Sequence, residues 1–146
     1  MSIWHNDIDL ARIDGWRTNT LMEALGIRIT AFGDDWLAGT MPVDRRTHQP
    51  YGLLHGGASV ALAETLGSTA AMLTLDSAKY RTVGLDINAN HLRSVRGGLV
   101  TGTARPFHRG HSTQVWEIRI EDDAARLTCI ARLTMAVVPA GAIPAP

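Results

Sequence analysis

One long apolar segment limits what this chain can fold into more than any other feature. From Leu53 to Leu75 the only Asp, Glu, Lys or Arg is Glu64. A Gly-rich turn, His55-Gly56-Gly57, opens the segment. A helix is predicted from Gly56 or Gly57 to Thr74. Its Gly, Ser and Thr content and its central acid disfavour a membrane span, so the helix must be covered by the rest of the protein. A lone carboxylate on such a helix costs free energy unless it is paired, protonated or put to use. Ala61, Gly67, Ser68 and Ala71 recur near it at helical spacing and are expected to form the wall of a narrow cleft.

The remaining segments read mostly as strands. Ile27–Phe32 and Trp36–Val43 flank the turn Gly33-Asp34-Asp35 and form a hairpin, with Pro42 near the end of its strand. Thr82–Leu92, Leu99–Phe107, Thr113–Glu121 and Leu127–Val138 follow the helix, separated by Gly97-Gly98, Arg109-Gly110 and Asp122-Asp123. Before them, Asp7–Ile13 is predicted as a short helix and Leu21–Leu25 as another. Thr20 and Glu23 read as a capping box and Gly26 as a left-handed stop. Two strands, one long helix and four strands predict an α+β fold in which the helix fills the concavity of a six-stranded antiparallel sheet. The expected organisation is an N-terminal helical segment (1–26), one domain (27–138) and a frayed tail (139–146).

The 146 residues fit one core. Lys plus Arg and Asp plus Glu are both 14, which argues against a general nucleic-acid binder. The N-terminus has no signal-peptide pattern, and the single cysteine, Cys129, excludes an internal disulfide and a multi-Cys metal site. A reducing cytoplasm is the expected setting. His48, His91, His108 and His111 do not fall at zinc-site spacings, so no metal is assigned. Cys129 reads as a small buried residue, and Trp36 and Trp116 as packing residues.

The first amides of a helix lack intrahelical acceptors and lie at its positive end. Gly56 would let a ligand oxygen approach them, although the same glycines also fit a plain tight turn. Glu64 lies eight residues further on, about 12 Å along the axis. A carboxylate acting on a carbonyl must come within roughly 3–3.5 Å of it. Either the two groups do not cooperate, or a second copy of the chain supplies one of them, as an isologous dimer would do twice.

The run Gln49–Ser68 resembles the active-site segment of hotdog-fold acyl-CoA thioesterases. The branch it resembles holds the phenylacetate-pathway (PaaI-like), Arthrobacter-type 4-hydroxybenzoyl-CoA and 1,4-dihydroxy-2-naphthoyl-CoA thioesterases, with the enterobactin-pathway proofreading enzymes close by. The likeness extends through Met41–Asp44, Gly84–His91, Gln114–Trp116 and Arg132–Thr134. The resemblance implies a hotdog fold and hydrolysis of an aromatic or ring-bearing acyl-CoA, with coenzyme A as part of the substrate and no separate cofactor. It implies Glu64 as nucleophile or general base, the Gly56 amide as donor to the thioester carbonyl, and Gln49 assisting it. His55 would help hold the site or the departing thiol, and Ser68 would orient water. The minimal active unit would be a homodimer, and homotetramers are common in the family.

The region His91–Gly98 would then meet the nucleotide, through His91, Arg93, Ser94 and Arg96. Thr82, Val83 and Gly84 would border the pantetheine channel, and His111 would form another edge. Local alternatives remain: Gln49 as a loop-ordering amide, His55 as a structural hydrogen bond, Ser68 as helix packing, and the arginines as solvated turn residues. A hotdog hydratase would need an Asp/His pair in a motif that is absent here. An acyl-CoA-binding module without turnover would have little use for Glu64.

Overall fold

The computed structural model describes residues 1–144. In chain order the elements are α1 (Leu10–Gly15), α2 (Leu21–Leu25), β1 (Arg28–Phe32), β2 (Leu37–Pro42), α3 (Gly56–Leu73), β3 (Tyr80–His91), β4 (Leu99–Arg109), β5 (Thr113–Glu121) and β6 (Leu127–Pro139). A 3-10 turn, Ala140–Ala142, follows. The six strands form one antiparallel sheet in the order β1-β2-β4-β5-β6-β3. The α+β class, the six-stranded sheet and the single long helix are as expected.

The sheet closes on α3 through alternation. On β5, Gln114, Trp116, Ile118 and Ile120 are buried, with more open residues between them. On α3, Leu62, Ala63, Leu66, Gly67, Ala70 and Ala71 turn inward. Gly39 of β2 pairs with Gly102 of β4, and the missing side chains admit Leu66: a Cβ on Gly102 would lie 2.5 Å from Leu66 Cδ1. Gly67 packs as closely, since its Cβ would meet Leu133 Cδ2 at 2.7 Å. Gly67 and Ala71 therefore belong to the core and not to a cleft wall; only Ala61 and Ser68 of the expected set stay partly exposed.

Several local expectations shift. α1 starts at Leu10 because the Asp9 carboxylate accepts from the Arg12 amide and so caps the helix. The capping box at α2 does not form. Thr20 has no side-chain cap bond, and Glu23 accepts instead from the amide of Asn19, which has φ 60°. Gly26 does end α2 in the left-handed region, at φ 71°. Trp36 lies outside β2; its ring covers Gly33, and its carbonyl accepts from the Gly33 amide. Part of the tail expected to fray forms the 3-10 turn, while 145–146 lie outside the described residues. Among the described residues, no helix is long and apolar enough to cross a membrane.

Candidate active site

The loop from Asp44 to His55 is held at both ends. Asp44 pairs with Arg46, whose guanidinium draws the carboxyl down to about 2. Buried Thr47 donates from its hydroxyl to the Pro42 carbonyl, and the His55 amide donates to the Thr47 carbonyl. The His48 ring donates to the Arg96 carbonyl, and the Leu54 amide to that of Val95. The loop is thus stitched to the turn after β3.

These contacts deliver α3 with its first turn almost fully satisfied. The Gly57 amide donates to His55 Nδ1 at 2.8 Å. The Ala58 and Ser59 amides donate to the His55 carbonyl. The Gly56 amide alone has no acceptor among the described residues. It borders a cleft of about 380 Å³ whose polar walls come from Gln49, Ser59, His91, Arg93, Ser94 and Thr128. The His91 ring lies over Gly56, where a Cβ would come within 2.8 Å of His91 Nε2. Among the described residues, no Asp or Glu lines this cleft. At the positive end of a helix it suits an oxygen gaining negative charge.

Gln49 turns its side-chain oxygen back to the Tyr51 amide, which matches the loop-ordering reading and leaves its amide nitrogen without a partner among the described residues. His55 caps α3 through a structural hydrogen bond. Arg96 and His111 are exposed and do not line the cleft.

Glu64 lies elsewhere. Its carboxylate sits against β3, where a Cβ on Gly84 would lie 2.6 Å from Glu64 Oε1. Ser68 follows one helical turn later. A bulge between Gly84 and Asp86 opens the ladder beside the acid and leaves Leu85 without a counterpart on β6. Glu64 is half-buried and has no hydrogen-bond or ion-pair partner among the described residues. Other carboxylates do have such partners: Asp14 pairs with Arg28 and Asp122 with Arg126.

The expected residues therefore fall into two groups within one chain. Gln49, Gly56, His91, Arg93 and Ser94 meet at the start of α3. Glu64, Ser68, Thr82, Val83 and Gly84 lie along the middle of α3 and the first half of β3. His111 is in the β4–β5 turn, beside the end of β6. Gly84 and His91 are seven residues apart on one strand, about 23 Å. Ser59 and Thr128 were missed as lining residues. Ser59 could have been placed by its spacing of three from Gly56, which puts it on the same helical face. Thr128 comes from β6, and nothing local signals its approach. Cys129 is buried, and burial pushes its thiol up.

The thioesterase superfamily model matches residues 51–129. The 1,4-dihydroxy-2-naphthoyl-CoA hydrolase of Escherichia coli is 48% identical over 136 residues, covering 93% of this chain and 99% of that protein. The proofreading thioesterase EntH of Cronobacter turicensis is 50% identical over 136 residues, covering 93% and 98%. A crystal structure of a mutant thioesterase from Pseudomonas aeruginosa superposes with a TM-score of 0.94 at 54% identity, covering 94% of this chain and 99% of that one.

Proposed function

This chain belongs to the thioesterase superfamily and is a thioester hydrolase, and from that premise we propose that it cleaves acyl-CoA thioesters with an aromatic acyl group at a site completed by two protomers. One observation carries the reading: each half of the chemistry is present and each is incomplete. The cleft at Gly56 offers an unused amide and no acid. The acid, Glu64, has no partner among the described residues and sits two turns away. An isologous dimer brings the Glu64 of one protomer to the Gly56 of the other, twice. The β3 edge, paired among the described residues on its β6 side alone, is the natural seam. Such dimers would pair further into a homotetramer.

In the shared site the thioester carbonyl oxygen accepts from the Gly56 N–H, with the Gln49 amide nitrogen in reach as a second donor. Water then adds to the carbonyl carbon and gives its proton to Glu64. The oxyanion collapses, the C–S bond breaks, and the coenzyme A thiolate takes that proton. If Glu64 attacks directly, it forms a mixed anhydride and expels the thiolate, and water then hydrolyses the anhydride. In both routes one carboxylate and one donor suffice, because thiolate leaves readily. Ser68 orients the water. His91 packs beside the carbonyl site, and Arg93, Ser94 and Arg96 lie where the phosphates of the nucleotide pass. Thr82, Val83 and Gly84 border the pantetheine arm, and His111 lies at a second edge. The aromatic acyl group is favoured by one relative, the 1,4-dihydroxy-2-naphthoyl-CoA hydrolase of Escherichia coli.

The test is thiol release from aryl-, short-chain and long-chain acyl-CoAs by wild type and Glu64→Gln. The aryl thioesters should be turned over fastest, and the variant should remain folded and lose nearly all turnover. Wild-type rates in Glu64→Gln would remove the acid from the mechanism.

A further inference from the structure

The edge strand β3 carries a different chemistry on each face. Asp86, Asn88 and Asn90 are exposed on the outer side of the sheet, while Ile87 and Ala89 alternate with them and pack against the core. The two halves of the site stand at the ends of this stretch. Gly84 faces α3 beside Glu64, and His91 faces α3 over Gly56. Their counterparts on β6 are Met135 and Cys129, six ladder positions apart, because the bulge absorbs Leu85. Midway between them, opposite Arg132, stands Asn88.

That count limits how a second copy can dock on the edge. A two-fold axis perpendicular to the sheet keeps each face on its own side, so residues opposite one another must share a face. Gly84 and His91 meet this condition, since an even number of ladder positions separates them. Setting the partner's Gly84 opposite His91 runs the axis through Asn88. Directly opposed residues stand about 4.5–5.5 Å apart. The partner's Glu64 then lies next to the His91 ring and the Gly56 amide, and a carbonyl between them can touch both. The neighbouring permitted registers slide the partner by two residues, about 6.8 Å, and take the acid out of reach.

We propose that the β3 edges of two copies pair antiparallel in this one register, with Asn88 facing its own copy on the axis and each Asp86 opposite the partner's Asn90. The register rests on the reading of Gly56 and Glu64 as one shared site. The side chains it brings together are compatible. Each Asn88 amide can donate to the oxygen of the other. Each Asp86 carboxylate meets an amide donor and not a second carboxylate. On the inner side, Ile87 meets the partner's Ala89.

The test is a scan of single cysteines under mild oxidation of the full chain, with wild type, whose Cys129 is buried, as the control. Asn88→Cys should form a disulfide-linked dimer, because its Cα and that of its copy fall within disulfide range. Ile87→Cys and Ala89→Cys should not, since each would stand about 7–8 Å from its own copy. The bridged Asn88→Cys dimer should hydrolyse benzoyl-CoA as fast as the reduced protein. Chains carrying Asp86→Cys, refolded with chains carrying Asn90→Cys, should bridge only between the two kinds, which keeps the test readable if Asn88→Cys misfolds. Bridging at Ile87→Cys or Ala89→Cys instead, no bridging in any folded variant, or activity lost on bridging overturns the register while the shared site survives. A wild type that sediments as a monomer while hydrolysing benzoyl-CoA overturns both.

Discussion

The start of α3 and its middle solve opposite problems. At Gly56 the proposed donor is a backbone amide whose position is fixed by neighbours: His55 caps the next amide, and the loop before it is tied to Pro42, Val95 and Arg96. At Glu64 the proposed reactive group is a side chain with no partner among the described residues and a bulged strand beside it. A donor to a developing oxyanion gains from being preorganised. A base that must accept a proton and release it gains from having no competing hydrogen bond. With the proposed roles, the contrast teaches that rigidity is distributed by chemical task.

The strongest way to break the comparison is Glu64→Gln. It should lower kcat on benzoyl-CoA by about a thousandfold or more without shifting the melting temperature. Gly56→Ala should cost about a hundredfold, because the new Cβ meets the His91 ring at 2.8 Å and disturbs the donor. Mixing these two inactive chains as unfolded protomers and refolding them together sharpens the point. Half of the dimers would be mixed and each would hold one intact site, so activity should return to about a quarter of wild type. No recovery would show that each chain uses its own pair.

Stability separates the halves as well. Buried Gln114 donates to the Thr74 hydroxyl at the end of α3 and accepts from the Trp116 indole. Gln114→Leu should cost about 1–3 kcal/mol in thermal melting, because it strands the indole N–H. The smallest effect belongs to the loop ahead of Gly56. Asp44 is held at about 2, below its usual 3.8, chiefly by its hydrogen bond to Arg46. A depressed folded value stabilises above the unfolded one and is lost as pH falls between them, here from about 4 to 2. Arg46→Ala should remove that acid-side loss and move the Asp44 carboxyl titration, followed by NMR, back towards 3.8.

The sequence exposed the helix and the strands because their patterns are local. α3 begins at Gly56, one of the two starts expected, and β5 matches at both ends. Choices settled by a single contact were not legible. Asp7 and Asp9 both precede an apolar run, and only the bond to the Arg12 amide selects Asp9. Glu23 has Asn19 and Thr20 within reach, and the left-handed Asn19 decides the outcome. Strand order was not readable, since four successive antiparallel strands permit several arrangements. At the site, the separation of Gly56 from Glu64 followed from helical rise alone. The Gly84 contact did not, because a glycine in a strand does not reveal which side chain it makes room for.

Leu85 is an extra residue in β3, opposite no residue of β6. Before it, even-numbered β3 residues face α3, as Gly84 does; after it, odd-numbered ones do, as Ile87, Ala89 and His91 show. Leu85 is therefore absorbed by the bulge without changing the side on which either half of the strand lies. Removing it would set Gly84 and Asp86 side by side against Met135 and Thr134, and His91 would still face α3; the loss of any paired residue between Asp86 and His91 would instead turn the histidine outward, so the strand tolerates a change of length at this one point alone.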